Sequence, residues 1–201
     1  MKKAISILLL FAFVCTMITS CSKIGSRTYV NDLLDAMENG DDERFYELLK
    51  DESYNINTNP VPLAERIIFF YCGSEENPLE KACRLERYDY VEALIKRGAD
   101  VDYICTLGAL SISVSFMNPE IVELLLESGA DPNKGDSLPL ATVARFWNLY
   151  DADVAYDIAK MLIEYGADKS AKEMQFGNLN AYEIAIKFSA PQEFLDLLKP
   201  E

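Results

Sequence analysis

The side chains able to do chemistry in this chain are mostly carboxylates, and they recur in close pairs: Asp41 with Asp42, Glu75 with Glu76, and Asp151 with Asp153. Such pairs are the raw material of calcium loops and of acid–base catalysis. None has the ligand spacing of a helix–loop–helix calcium site. Asp41 and Asp42 suit the start of the helix containing Phe45, where negative charge meets the positive end of the helix dipole. Histidine is absent from all 201 residues. That absence excludes serine–histidine and cysteine–histidine catalysis and every histidine-liganded metal centre. The 9 glycines are scattered, mostly at helix ends, and build no phosphate loop. The chain is read as a non-enzyme, with no catalytic residue, no metal site and no cofactor expected.

Cysteine is the other reactive type, and its first copies lie in a distinctive setting. Lys2 and Lys3 precede an apolar run from Ala4 to Ile18, too short for a comfortable membrane span and suited to a signal-peptide core. The run closes on Ile18-Thr19-Ser20-Cys21, which resembles the bacterial lipobox. The resemblance implies removal of residues 1–20, lipid attachment at Cys21 and a short tether over 21–30. Cys15 follows the bulky Phe13 and Val14 and has no such context. By resemblance to enterobacterial sorting, Ser22 after the cysteine implies the outer membrane, facing the periplasm. The expected location is therefore the bacterial cell envelope.

Beyond the tether, the elements that position everything else announce themselves by repetition. Ala93-Leu94-Ile95-Lys96-Arg97-Gly98-Ala99-Asp100, Leu124-Leu125-Leu126-Glu127-Ser128-Gly129-Ala130-Asp131 and Met161-Leu162-Ile163-Glu164-Tyr165-Gly166-Ala167-Asp168 are variations on one phrase. Their glycines lie 31 and 37 residues apart. A recurrence at that period means a unit that buries its apolar face only by stacking on copies of itself. In the clearest unit Asn77 is a capping residue and Pro78 takes the first helical position, where its missing N–H costs nothing. Leu79, Ala82 and Cys83 share one face, Val91, Leu94 and Ile95 form the stripe of a second helix, and Gly98 ends it.

Asn77 to Asp102 resembles the ankyrin repeat, whose pattern runs Thr-Pro-Leu-His-x-Ala-Ala, then Ile-Val-x-Leu-Leu, then Gly-Ala-Asp-Val-Asn. Gly108 to Asn133 and Leu138 to Asp168 are similar, the latter with about seven extra residues between its helices, within Phe146 to Tyr156. Weaker units flank them: Leu33, Ala36, Gly40, Phe45, Leu48 and Leu49 before, and Asn180 to Ala185 with Phe194, Leu197 and Leu198 after. The resemblance implies an all-α ankyrin-repeat solenoid of about five helix-turn-helix units over 31–201. Two departures stand out. The pattern's histidine is replaced by Glu80, Ser111, Ala141 and Glu183, so its hydrogen bond must be replaced or missing. An insertion at 58–76 reads either as an extra helix, Pro62 to Tyr71, or as part of a distorted repeat. Cys83 is expected to be a buried thiol, whereas Cys72 and Cys105, each preceding an inner helix, are left open as a pair or as two thiols.

Partners follow from the same resemblance and from charge. The chain carries 19 basic and 33 acidic residues, a net charge of −14. Removing Lys2 and Lys3 with the signal leaves 17 basic against 33 acidic, or −16. Such a surface repels nucleic acid and anionic lipid and attracts a basic partner at low salt. Ankyrin-type proteins bind through hairpin tips and inner helices, which maps the expected protein contact onto Arg84, Tyr103, Phe116, Arg145, Phe146, Trp147 and Tyr150. Trp147 and its neighbours either meet a partner or pack the insertion against the next unit. The functional expectation is a monomeric, lipid-anchored, non-enzymatic protein-binding module. A periplasmic immunity protein masking a toxin and an envelope structural or stress-protection factor are the alternatives.

Overall fold

The computed structural model describes residues 29–58, 76–135, 137–149 and 151–200. Chain contacts divide it into two compact units, Met1–Gly73 and Ser74–Glu201. The signal segment, Cys21, Cys72, the stretch Pro62 to Tyr71 and Tyr150 lie outside the described residues. So do both readings of the insertion and the pairing of Cys72 with Cys105.

In the first unit residues 29–39 form α1 and Asp42–Leu49 form α2. Gly40, at φ 65°, turns the chain between them. Asp41 caps α2 by accepting the Arg44 N–H at 3.0 Å, with Asp42 and Glu43 in the first turn, as the acidic pair led one to expect. Val30, Leu33 and Phe45 have no exposed surface, and Tyr29 stacks on Tyr54 with ring centroids 4.8 Å apart. Burial of Tyr29 and Val30 explains why α1 begins inside the stretch read from sequence as tether.

The second unit is a stack of four helix pairs. They are α3 (Pro78–Arg84) with α4 (Tyr88–Lys96), α5 (Ala109–Ser115) with α6 (Pro119–Glu127), α7 (Pro139–Phe146) with α8 (Ala152–Glu164), and α9 (Ala181–Lys187) with α10 (Gln192–Leu198). Asn77 and Asn180 each cap with a reciprocal glutamate, Glu80 and Glu183, the capping box that satisfies two otherwise orphaned N–H groups. Gly98, Gly129 and Gly166 stand at φ 96°, 94° and 94°. The following alanines donate back to Leu94, Leu125 and Leu162 at 3.0, 3.0 and 2.9 Å, which closes the helix ends in Schellman form. The tight turns inside the pairs use left-handed residues that are not glycine: Glu86, Met117 and Ser189.

Inner helices α3, α5, α7 and α9 pack side by side in chain order, and outer helices α4, α6, α8 and α10 do the same less closely. Ala82, Cys83, Ile112, Val114, Val143, Ala144, Ile184 and Ala185 are completely buried between them. Each buried aliphatic of Val or Leu size contributes roughly 1.5–3 kcal/mol. In α4 the buried stripe is Tyr90, Val91 and Leu94. Ile95 is half-buried instead, and the buried Tyr90 ring is covered by the Arg87 guanidinium at 3.9 Å.

Polar groups lock one unit to the next. Asp100, Asp131 and Asp168 each fold the hairpin by accepting the N–H two residues on, at 3.0, 2.9 and 2.8 Å. Asp102 then accepts from the Asp131 N–H at 3.0 Å and Asn133 from the Asp168 N–H at 2.7 Å, so each hairpin holds its successor. Glu80 replaces the pattern's histidine directly. Its buried carboxylate accepts from the N–H groups of Cys105, Thr106 and Gly108 at 3.1, 2.9 and 2.9 Å. Ser111 donates instead to the Ser137 carbonyl at 2.6 Å. Ala141 has no such atom, and a buried Glu173 from the following hairpin accepts the Leu138 N–H at 2.8 Å. That hairpin pairs β1 (Lys172–Glu173) with β2 (Leu179–Asn180), antiparallel.

The extra residues of the third pair are shared out rather than looped out. Helix α7 has 8 residues against 7 in α3, and α8 has 13 against 9 in α4. The connection runs from Trp147 to Asp151, where Leu85 to Arg87 suffices in the first pair. Most of the insertion is thus an extended outer helix, capped by Asp151 accepting the Asp153 N–H at 2.9 Å.

Candidate partner-binding surface

Arg84 ends α3, Phe116 caps α5, and Arg145, Phe146 and Trp147 end α7. Because those helices lie side by side, the five residues are brought to one edge of the stack. Tyr103 is not among them. Its carbonyl accepts from Asn77, at the opposite end of α3 from Arg84, so it belongs to the hairpin edge. Arg84 is exposed and paired with Glu76, while Phe116 and Tyr103 are half-buried.

Around Trp147 the side chains are engaged with the next unit. The Arg145 guanidinium lies 4.7 Å from the Phe146 ring centre and 4.6 Å from that of Phe176, held between two aromatic faces. The Trp147 indole N–H donates to the Phe188 carbonyl at 3.2 Å, and its ring centroid is 6.4 Å from that of Phe194. Trp147 therefore packs the extended connection onto the fourth pair, yet stays half-exposed.

Its open side faces a cleft of about 230 Å³ between the N-terminal turns of α8 and α10. Trp147, Tyr156 and Phe194 supply aromatic walls, and Asp153, Asp157 and Glu193 supply carboxylates. Sequence reasoning singled out Trp147 and Asp153 but not Asp157, Glu193 or the wall formed by Phe194. The available signal was the four-residue spacing of Asp153 and Asp157, which sets both on one face of α8.

Away from the cleft, burial and hydrogen bonding shift the titration of Cys83, Asp89 and Asp168. Burial pushes the Cys83 thiol up from 9.0 to about 12, which keeps it protonated and poorly nucleophilic. A hydrogen bond from Arg87 holds Asp89 below the ordinary carboxylate value, and one from Ser170 does the same for Asp168. Among the described residues no cluster of three or more Asp, Glu, Cys or His side chains is placed to hold a metal ion.

The profile of the ankyrin repeat family, in 3 copies, matches residues 33–136, just over half of the chain. The chain belongs to the ankyrin-repeat family. An ankyrin repeat protein of Rickettsia felis is 36% identical over 108 residues, 49% of this chain and 46% of that protein. One from Acanthamoeba polyphaga mimivirus is 32% identical over 109 residues, 49% of this chain and 62% of its own length. The chain thus spans about half of the curated relatives it matches. Two ankyrin pairs, α7 with α8 and α9 with α10, continue the stack past the matched residues. Ankyrin repeats are in general non-enzymatic scaffolds for protein interaction, and helix stacks of this kind put recognition on edges and faces shared by several units.

Proposed function

We propose that this ankyrin stack captures a protein partner in the bacterial cell envelope, tethered by lipid on Cys21 and facing the periplasm. The observation that carries the capture reading is the edge where inner helices end. There Arg84, Phe116 and the Trp147 group line up along successive units. Aromatic and arginine side chains are the usual anchors of protein interfaces. The lipid is supported by Ile18-Thr19-Ser20-Cys21 alone. Crosslinking in the native envelope, affinity capture of the full chain and mass spectrometry test the reading. It predicts one dominant protein, and an absence of any enriched protein contradicts it. Incorporation of labelled palmitate by the wild type and not by Cys21→Ala tests the tether, and equal labelling of both contradicts it.

A second reading, an immunity protein that masks a basic toxin, is favoured by the net charge of −14. Deletion of the chain then sensitises cells to a neighbouring toxin delivered to the periplasm, and unchanged survival argues against it.

A further inference from the structure

We propose that the cleft between the N-terminal turns of α8 and α10 seats a lysine or arginine side chain of the partner protein. The inference rests on the protein-capture reading and gives the partner its chemistry at that point of contact.

Trp147 and Tyr156 are half-buried and Phe194 is buried, so the walls are fixed aromatic faces rather than mobile surface rings. Aromatic faces attract a cation, most when it is shielded from water. Asp153, Asp157 and Glu193 border the same space as exposed residues, and no basic residue lines it. Among the described residues none of these three carboxylates forms an ion pair, in contrast to Asp89, which Arg87 holds at 2.7 Å. Acidic residues at helix starts also answer the helix dipole, which accounts for part of this charge. Two helix N-termini supply roughly one positive charge together, about half a unit each. Three carboxylates leave a net excess of roughly two negative charges, and Asp157 stands beyond the first turn that the dipole serves. An apolar wall with uncompensated negative charge at its rim matches a long basic side chain, whose methylenes lie on the rings while its head meets the carboxylates. Arg145, two residues before Trp147, is committed between Phe146 and Phe176 and does not line the cleft.

Trp147 is the only tryptophan, so its fluorescence reports the cleft directly. The full chain is titrated with a triarginine peptide, its citrulline counterpart of the same shape without charge, and tetramethylammonium. The expected result is a saturable change in Trp147 emission with triarginine, weakened at least tenfold by D153N/D157N/E193Q, lost with citrulline and reduced by salt. A response to citrulline equal to that for arginine overturns the proposal, as does an unaltered titration in the variant. Binding of tetramethylammonium but not of the peptide overturns it in favour of a small-ammonium site. An unchanged denaturation midpoint confirms that the variant is folded. Envelope capture by wild type and variant side by side separates the two claims. Equal capture by both overturns the cleft alone, whereas capture by neither, with a positive peptide titration, overturns the protein-capture reading alone.

Discussion

The first two helix pairs of the stack and the junction between its third and fourth pairs treat polar side chains in opposite ways. In the first two pairs and their hairpins, Glu80, Asp102 and Asn133 accept from backbone N–H groups further along the stack, and the Asn77 side-chain amide donates to the Tyr103 carbonyl. Around the start of α8, the exposed residues Asp153, Asp157 and Glu193 border a cleft, and among the described residues none forms an ion pair. The contrast teaches where to look for function in a repeat protein. The side chains at the hairpins are consumed by stacking, and those at the junction of the third and fourth pairs are left to meet something else.

The comparison breaks first, and most violently, at Glu80. Glu80→Leu orphans the N–H groups of Cys105, Thr106 and Gly108 and removes the link to the next hairpin. A loss of about 4 kcal/mol is expected, read as a lower urea midpoint. Gly135→Ala comes next. At φ 139° an added methyl falls 2.8 Å from Ser111 Oγ and 2.9 Å from the Ser137 carbonyl, which should cost about 3 kcal/mol. At Gly98 the same change meets nothing within 4 Å and carries only the left-handed penalty, about 1 kcal/mol. Similar losses at both glycines contradict the packing described at Gly135. Asn133→Ala removes two bonds to the following hairpin, to the Gly166 carbonyl and from the Asp168 N–H, for about 1–2 kcal/mol.

Cys83 gives a pH test of the regular half. Its thiol titrates near 12 when folded and near 9.0 when unfolded. Its contribution is complete below pH 9.0 and falls away as pH rises toward 12, because the unfolded chain releases the proton first. The urea midpoint of the wild type should therefore drop between pH 8 and pH 10 by more than that of Cys83→Ala. Equal slopes contradict burial of the thiol. The smallest effect belongs to the other side of the comparison: D153N/D157N/E193Q should change stability by less than about 0.5 kcal/mol.

Much of the fold was legible because stacking imposes strict local demands. Asn77 before Pro78, the Gly-Ala-Asp stops and the aliphatic spacing of each second helix all declare backbone geometry through local chemistry. Other features depend on neighbours 25 or more residues away. Glu80 looked like a lost histidine, since nothing in its own helix shows the Cys105–Gly108 amides that it receives. Glu173 serves Leu138 across 35 residues and carries no pattern at all. The positive φ of Glu86, Met117 and Ser189 was equally hidden, because their turns are imposed by helix packing rather than by glycine. Trp147 was visible as an oddity, but whether it packed or stood open depended on Phe188 and Phe194 from the next pair, and it does both.

The most direct test of this division measures denaturation midpoint and partner capture together on two full-length variants, E80Q and D153N/D157N/E193Q. The account predicts a crossed result: E80Q loses stability yet retains the partner at temperatures where it is folded, and the triple variant keeps its midpoint but loses the partner. If both variants change in the same property and by the same amount, regular and irregular parts of the stack do not divide the work, and the account is contradicted.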